Sequence, residues 1–220
     1  MVVIPDQQWE PIQRDIDACS VCLSDDAFKS YEHHPARPKH PRHTGRILFL
    51  SEAPPRSGGF WTEDRTDDLR TKLMQLLDIS RSGNTAQVLA AFMERGYFLL
   101  QALKWPLKKS FNHFGPAQQR RLVEHSASAH LRSEVHALKP RAILAMGKAA
   151  WMSCLFISGN TYPPADLGFE SSLNQERTIT LEGQVIPWLA TYLPVDQNLR
   201  NPDRAARVSA HIQSFIAKYG

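Results

Sequence analysis

The sequence predicts an α/β protein, a three-layer α/β/α sandwich around a central, mostly parallel four-stranded sheet. Two observations carry this prediction. Short, continuous apolar runs that stop at a polar residue are typical of strands buried on both faces. These runs alternate with longer segments whose apolar residues recur at the helical spacing of three to four. Such alternation favours a parallel sheet that is covered by helices.

The predicted elements follow one another without a repeat or a boundary, so residues 1–220 are expected to form one domain. The segment 30–45, rich in Pro and His, is predicted to be a loop or an extended arm. The strands are predicted at 46–51, 97–103 and 141–147, and as a strand–turn–strand unit within 177–194. The helices are predicted over 8–23, 66–79, 85–95, 116–138, 148–157 and 203–219.

Composition limits the classes of function. The chain has 220 residues, of which 42% are hydrophobic, enough for one substantial core. A net charge of +4 permits an anionic partner such as nucleic acid without requiring one. Three cysteines, an odd number, fit no disulfide framework. No run approaches the roughly 18 apolar residues of a membrane span, and the N-terminus lacks signal-peptide features, so a cytoplasmic protein with no membrane contact is expected.

The polar residues that end the strands predict where a site would lie. In open parallel sheets, ligands bind beyond the carboxyl ends of the strands, so these ends are expected to converge at one edge. Neither a G-x-G-x-x-G pattern nor a P-loop is present, which disfavours a nucleotide-dependent enzyme of the Rossmann type. The three endings are Ser51-Glu52-Ala53-Pro54, Gln101-Ala102-Leu103-Lys104 and Thr191-Tyr192-Leu193-Pro194.

At these endings the chain resembles the uracil-DNA glycosylase superfamily, and most nearly its iron–sulfur-containing bacterial and archaeal branch. That family reads roughly Gly-Glu-Ala-Pro-Gly after its first strand and Asn-x-x-Lys-Cys after its second. A Pro-x-x-Ile-x-x-Leu-Gly-x-x-Ala segment follows, and then Thr-x-His-Pro-Ser with a Leu-Arg pair. The matching segments of this chain, in the same order, are SEAPP (51–55), QALKW (101–105), PRAILAMGKAA (140–150), TYLPV (191–195) and LRNP (199–202).

The resemblance implies a glycosylase that flips a damaged or deaminated base of DNA into a pocket and hydrolyses its glycosidic bond. Glu52 takes the position of the residue that activates the water, and Ala53 and Pro54 complete its motif. Either Phe60 or Trp61 would stack on the base. Two further residues would contact the base: Gln101, where the family has Asn, and Leu193, where it has a His that donates to the base.

The same resemblance implies DNA contacts. Lys104 is a candidate for a phosphate contact, and Arg200 with Asn201 would press on the minor groove. Asp64 is a second candidate for activating the water. The other cations considered for phosphate contacts are Arg56, Arg65, Lys108 and Lys109.

The iron–sulfur branch uses four cysteine thiolates, and only the first two are matched in this chain, by Cys19 and Cys22. The third and fourth positions correspond to Trp105 and to about Ala127. We therefore expect no cluster, and no cofactor is predicted. Zinc at Cys19 and Cys22 remains the alternative, because histidines could complete the ligand set. Those histidines are His33, His34, His40 and His43 in the arm, and His125 and His130.

Two functions remain open. The first is a DNA glycosylase whose base preference is altered from uracil, because Gln101 and Leu193 both change base recognition and Pro55 removes a backbone donor beside Glu52. The second is a nucleic-acid-binding member of the fold without catalysis. The expected partner in either case is DNA, which carries a modified or deaminated base in the first.

Overall fold

The computed structural model describes residues 6–28, 46–55, 59–63, 67–80, 82–159 and 168–220. Within these residues the centre of the molecule is a five-stranded sheet in the order β2-β1-β3-β5-β4. The first three strands in that order and β5 run parallel, and β4 is antiparallel to β5. The strands are β1 (Ile47–Ser51), β2 (Tyr97–Gln101), β3 (Ala142–Met146), β4 (Arg177–Leu181) and β5 (Gln184–Thr191).

The α/β class and the mostly parallel sheet are confirmed, and the predicted number of strands is corrected from four to five. The additional strand is β4, which pairs with β5 across a tight turn at Glu182 and Gly183. Both turn residues have positive φ, 46° and 83°, as a two-residue hairpin turn requires. The sheet is therefore a four-stranded parallel unit with one antiparallel strand added at its edge.

Helices connect the strands and cover the sheet. α7 packs against β1, β3 and β5, α9 packs against β3 and β5, and α4 packs against β2. The helices are α1 (Asp6–Asp17), α2 (Ser20–Ser24), α3 (Asp68–Leu76), α4 (Thr85–Glu94), α5 (Pro116–Ser126), α6 (Arg132–Leu138), α7 (Lys148–Ile157), α8 (Asp196–Leu199) and α9 (Pro202–Tyr219). Short 3-10 helices lie at Phe111–His113 and Glu170–Ser172.

Two predicted helices differ from those observed. The helix predicted over 8–23 is interrupted at Cys19, so that it forms α1 and the short α2. The helix predicted over 116–138 is continuous, but a π-helical segment at Ala127–Leu131 joins α5 to α6. The arm predicted over 30–45 lies outside the described residues.

The core is apolar on both faces of the sheet because β1, β2 and β3 are buried along their whole length. An aromatic cluster fills the space beside β2, where Phe60, Trp61 and Phe92 meet with ring centroids 5.2–6.3 Å apart. Trp61 also stacks at a tilt on Phe98, with ring centroids 5.0 Å apart. The cluster therefore anchors the loop after β1 to the second strand.

One buried ion pair joins the end of β2 to the helical layer. Lys104 and Glu134 are 3% and 1% exposed at their side chains, and their charged groups are in direct contact. The amide Nε2 of Gln13 in α1 donates to Glu134 Oε1 at 3.1 Å. Buried charges are tolerated when they are paired and hydrogen-bonded in this way. The pair thus links β2, α6 and the N-terminal helix.

A search of the described helices for a membrane-spanning segment finds none that combines sufficient length with sufficient apolar character.

Candidate functional site

A pocket of about 270 Å³ lies at the carboxyl ends of β1 and β2, beside the segment that follows β5. This is the edge at which sites form in open parallel sheets. The lining residues come from four stretches of chain that are distant in sequence. They are Ser51, Glu52, Ala53, Pro55, Gly59, Phe60, Asp67, Asp68, Leu69, Gln101, Leu193 and Val195.

The structure brings together most of the residues predicted to contact a base. Glu52, Ala53, Phe60, Gln101 and Leu193 all border this pocket. Among the aromatic candidates the pocket therefore takes Phe60, which is held by the aromatic cluster and is 1% exposed. The two motif cores meet at this pocket although about 50 residues of chain separate Glu52 from Gln101.

Two predicted site residues do not line the pocket. Trp61 is 3% exposed, and its indole N–H donates to the Leu99 carbonyl of β2 at 3.1 Å, so its ring belongs to the core. Pro54 is buried and is absent from the lining, so it shapes the turn after Glu52 rather than the wall of the pocket. The prediction of substrate contacts by these two residues is corrected accordingly.

Glu52 is positioned by the N-terminus of α7. Its Oε1 accepts a hydrogen bond from the backbone N–H of Ala149 at 3.1 Å. Burial raises the pKa of Glu52 above its ordinary value, and the backbone N–H groups of Ala149 and Lys148, with the Lys148 charge, offset part of that rise. A helix N-terminus stabilises a carboxylate because its N–H groups and dipole are positive. The result is a base that stays close to the pocket and binds a proton more tightly than an exposed Glu.

Gly147 makes the approach of Glu52 possible. Its φ is +96°, a conformation that favours glycine. A Cβ at this position would lie 2.7 Å from Glu52 Cγ and 2.8 Å from Cδ. The sequence contained this glycine within the third matched motif, but only the structure shows that it faces the carboxylate.

The pocket contains two further carboxylates, Asp67 and Asp68, which were not among the residues predicted from the sequence. Asp67 is the N-cap of α3 and accepts from the Arg70 N–H at 2.7 Å, and burial raises its pKa. Asp68 Oδ2 accepts from the Asp196 N–H at 2.9 Å, so it joins α3 to α8 across the rim. Asp before an apolar helical run is a recognisable capping signal, which could have placed Asp67. Asp64, the predicted alternative, lies outside the described residues.

The buried Arg70 holds the loop that carries Phe60. Its Nη1 donates to the backbone carbonyls of Phe60 at 2.8 Å and Thr62 at 2.7 Å. Burial lowers the pKa of Arg70, and the nearby Asp67 opposes that shift. Because two charge-assisted hydrogen bonds fix the loop, Phe60 is held in place beside the pocket rather than left to adjust.

The predicted DNA contacts have different outcomes. Lys104 is buried against Glu134, so the prediction of a phosphate contact is wrong for this side chain in this structure. Arg200 is exposed after α8, and Asn201 is exposed and accepts from the Arg204 N–H at 3.0 Å as the N-cap of α9. Lys108 is exposed, and Lys109 lies over the Phe114 ring. Arg56 and Arg65 lie outside the described residues.

The residues present do not fit a four-thiolate iron–sulfur cluster. The chain has three cysteines, and one of them, Cys154, is buried inside α7. The positions that the resemblance assigns to the third and fourth ligands hold Trp105 and Ala127, each 1% exposed. A different group is present near Cys19, where His125 and His130 lie within ligand distance. The four histidines of the arm lie outside the described residues.

The parallel sheet and the pocket at its carboxyl edge define an α/β protein with a small-ligand site that an acidic side chain borders. A family model for the uracil DNA glycosylase superfamily matches residues 38–215, which is most of the chain. The chain therefore belongs to this superfamily. A search of curated proteins returns no match.

We expect Gly147→Ala to displace Glu52 and to lower the free energy of unfolding by about 2–5 kcal/mol, because it combines backbone strain with an overlap of buried atoms. The matched control is Gly183→Ala, which has a similar φ of +83° but no atom within 4 Å of the added Cβ. That variant should lose only about 1–2 kcal/mol. Urea unfolding measures both, and equal losses would show that the contact with Glu52 carries no cost.

Proposed function

We propose that this protein is a DNA glycosylase that hydrolyses the N-glycosidic bond of a modified or deaminated base, with a preference that differs from uracil. Membership of the uracil DNA glycosylase superfamily supports a glycosylase-like activity. The observation that carries the proposal is the placement of Glu52, Phe60 and Gln101 around one pocket at the edge of the sheet.

In the proposed reaction the target nucleotide first leaves the base stack, because its glycosidic bond cannot be reached inside a duplex. Phe60 offers an apolar wall for the base, and the Gln101 amide offers one donor group and one acceptor for its polar edge. As the C1′–N bond breaks, its electron pair goes to the base and the sugar becomes cationic. Glu52 takes a proton from water, the water oxygen bonds to C1′, and the departing base is protonated.

The charges around the pocket favour the sugar more than the base. Glu52, Asp67 and Asp68 are carboxylates, and the lining among the described residues contains no Lys, Arg or His. Negative groups stabilise the cationic sugar of the transition state, whereas they oppose negative charge on a departing base. Leu193 cannot donate a hydrogen bond to that base. We infer that bases which leave with less negative charge than uracil are the preferred substrates.

A second function, DNA binding without catalysis, is favoured by one observation, the apolar Leu193 at the wall of the pocket. Binding through phosphates would be strongly salt-dependent and would not require Glu52. Excision assays separate this alternative from the first, because the two functions differ in product rather than in affinity.

We expect the protein to release base from at least one of a panel of oligonucleotides that carry uracil, hypoxanthine, xanthine or hydroxymethyluracil. Glu52→Gln should lower the single-turnover rate on that substrate by about 100-fold or more, because the general base is removed. Alkaline cleavage at the abasic site measures the product.

The control for this substitution is Glu63→Gln, the same chemical change at an exposed residue outside the pocket lining. It should leave the rate unchanged. The absence of product on every substrate at excess protein, together with salt-dependent binding of the same oligonucleotides, would favour the non-catalytic function.

We expect Leu193→His to raise uracil excision by about tenfold or more, because an imidazole donor would stabilise charge on the departing base. Leu193→Met is the control, since it keeps an apolar side chain without a donor. Single-turnover rates on uracil-containing single- and double-stranded DNA measure the effect. An equal response to both substitutions would remove Leu193 from the account of base preference.

The raised pKa of Glu52 predicts a pH-dependent stability difference. The folded protein binds this proton more tightly than the unfolded chain, in which Glu titrates near about 4.3, so the wild type loses stability as pH rises from that value through the raised pKa. Glu52→Gln lacks this loss. Its melting temperature should therefore equal or exceed that of the wild type at neutral pH, and the difference should shrink on acidification.

Thermal unfolding between acidic and neutral pH measures this difference, with Glu63→Gln as the reference variant. A difference that grows on acidification would mean that the folded structure stabilises the charged form of Glu52 and lowers its pKa instead of raising it.

A further inference from the structure

A cluster of three metal-ligating side chains lies apart from the pocket and shares no residue with it. The ligand atoms of Cys19, His125 and His130 all lie within 4.8 Å of one another. Cys19 Sγ is 3.3 Å from His125 Nε2, and the two imidazole rings are nearly perpendicular with centroids 5.6 Å apart. Cys19 and His125 are partly exposed and His130 is buried, so the group sits where an ion could enter from one side.

The π-helical segment explains how the two histidines come together. In an α-helix, side chains five residues apart differ in direction by about 140°, so His125 and His130 would point to different faces. In a π-helix the hydrogen bond spans five residues, and in this segment the Arg132 N–H donates to the Ala127 carbonyl. The wider turn brings position 130 above position 125. Such single π turns recur at functional sites because they re-aim side chains.

The third ligand comes from the interruption between the two N-terminal helices. Cys19 is the N-cap of α2, at the break that separates α2 from α1. α1 packs against α6 and against the π-helical segment, so the break lies over the histidines. The sequence also has Cys22 three residues later, the Cys-x-x-Cys spacing at which cysteine pairs commonly hold zinc.

We propose that Cys19, His125 and His130 bind one Zn²⁺ ion. Thiolate and imidazole together are the ligands that zinc prefers, and four-coordinate zinc fits ligand atoms about 3.5 Å apart, close to the 3.3 Å between Cys19 and His125. The ion joins the N-terminal helices to the long helix at its π turn. Because three thiolates at most are available in the chain, iron–sulfur chemistry does not compete for this site.

The test is the metal content of the purified full-length protein after exposure to Zn²⁺ and exhaustive dialysis, measured by mass spectrometry. The wild type should retain about one zinc per chain, whereas Cys19→Ser and His125→Ala should each retain less than about a tenth of that. His113→Ala, an exposed histidine on a 3-10 helix away from the cluster, is the matched control and should retain zinc as the wild type does.

A second measurement identifies the ligands directly. Replacement of zinc by Co²⁺ should give a sulfur-to-metal charge-transfer band and strong visible absorption in the wild type and in His113→Ala, and the charge-transfer band should be lost in Cys19→Ser. Removal of the metal by a chelator should lower the melting temperature of the wild type but not that of His125→Ala.

Several results would overturn the proposal. They are a wild type that retains no zinc, equal zinc in the wild type and in both ligand variants, or a protein that selects copper or iron from a mixture. None of these readouts depends on excision of a base, so the zinc site and the glycosylase function can fail independently.

Discussion

The contact between the Glu52 carboxylate and the first turn of α7 is the interaction on which the site depends. It joins the end of β1 to the turn that follows β3, and these two strands are neighbours in the sheet. Two conditions permit it: a glycine at position 147, and backbone N–H groups that point at the carboxylate. Parallel pairing of β1 and β3 supplies both conditions, because it places the end of one strand beside the start of the helix after the other.

The pocket combines rigid and electrostatically costly parts. Arg70 and the aromatic cluster fix Phe60, and the capping contacts of Asp67 and Asp68 fix the opposite rim. Three carboxylates near one another oppose their own ionisation, which costs stability unless the site gains a positive charge. The cationic sugar of a glycosyl transfer supplies such a charge only in the transition state. A site of this kind therefore sacrifices stability for preorganised chemistry.

The strands and the convergence of their ends could be predicted from the sequence because buried parallel strands are uninterrupted apolar runs with clear stops. The same stops placed Glu52 and Gln101 on one pocket. Phe60 could not be separated from Trp61, since adjacent aromatic residues in a loop look alike until the direction of the chain is known. The burial of Lys104 was missed because its partner, Glu134, is 30 residues away. The π turn before α6 leaves no periodic signal that distinguishes it from an α-helix.

Trp61 has a consequence for how the protein behaves at high concentration. β2 has a neighbouring strand on one side only, and unpaired strand edges promote association between molecules. The indole N–H of Trp61 binds the Leu99 carbonyl of this strand, and the strand itself is fully buried. The loop that follows Glu52 thus also shields one border of the sheet from pairing with another chain. A change that frees this loop would expose a template for aggregation as well as disturb the pocket.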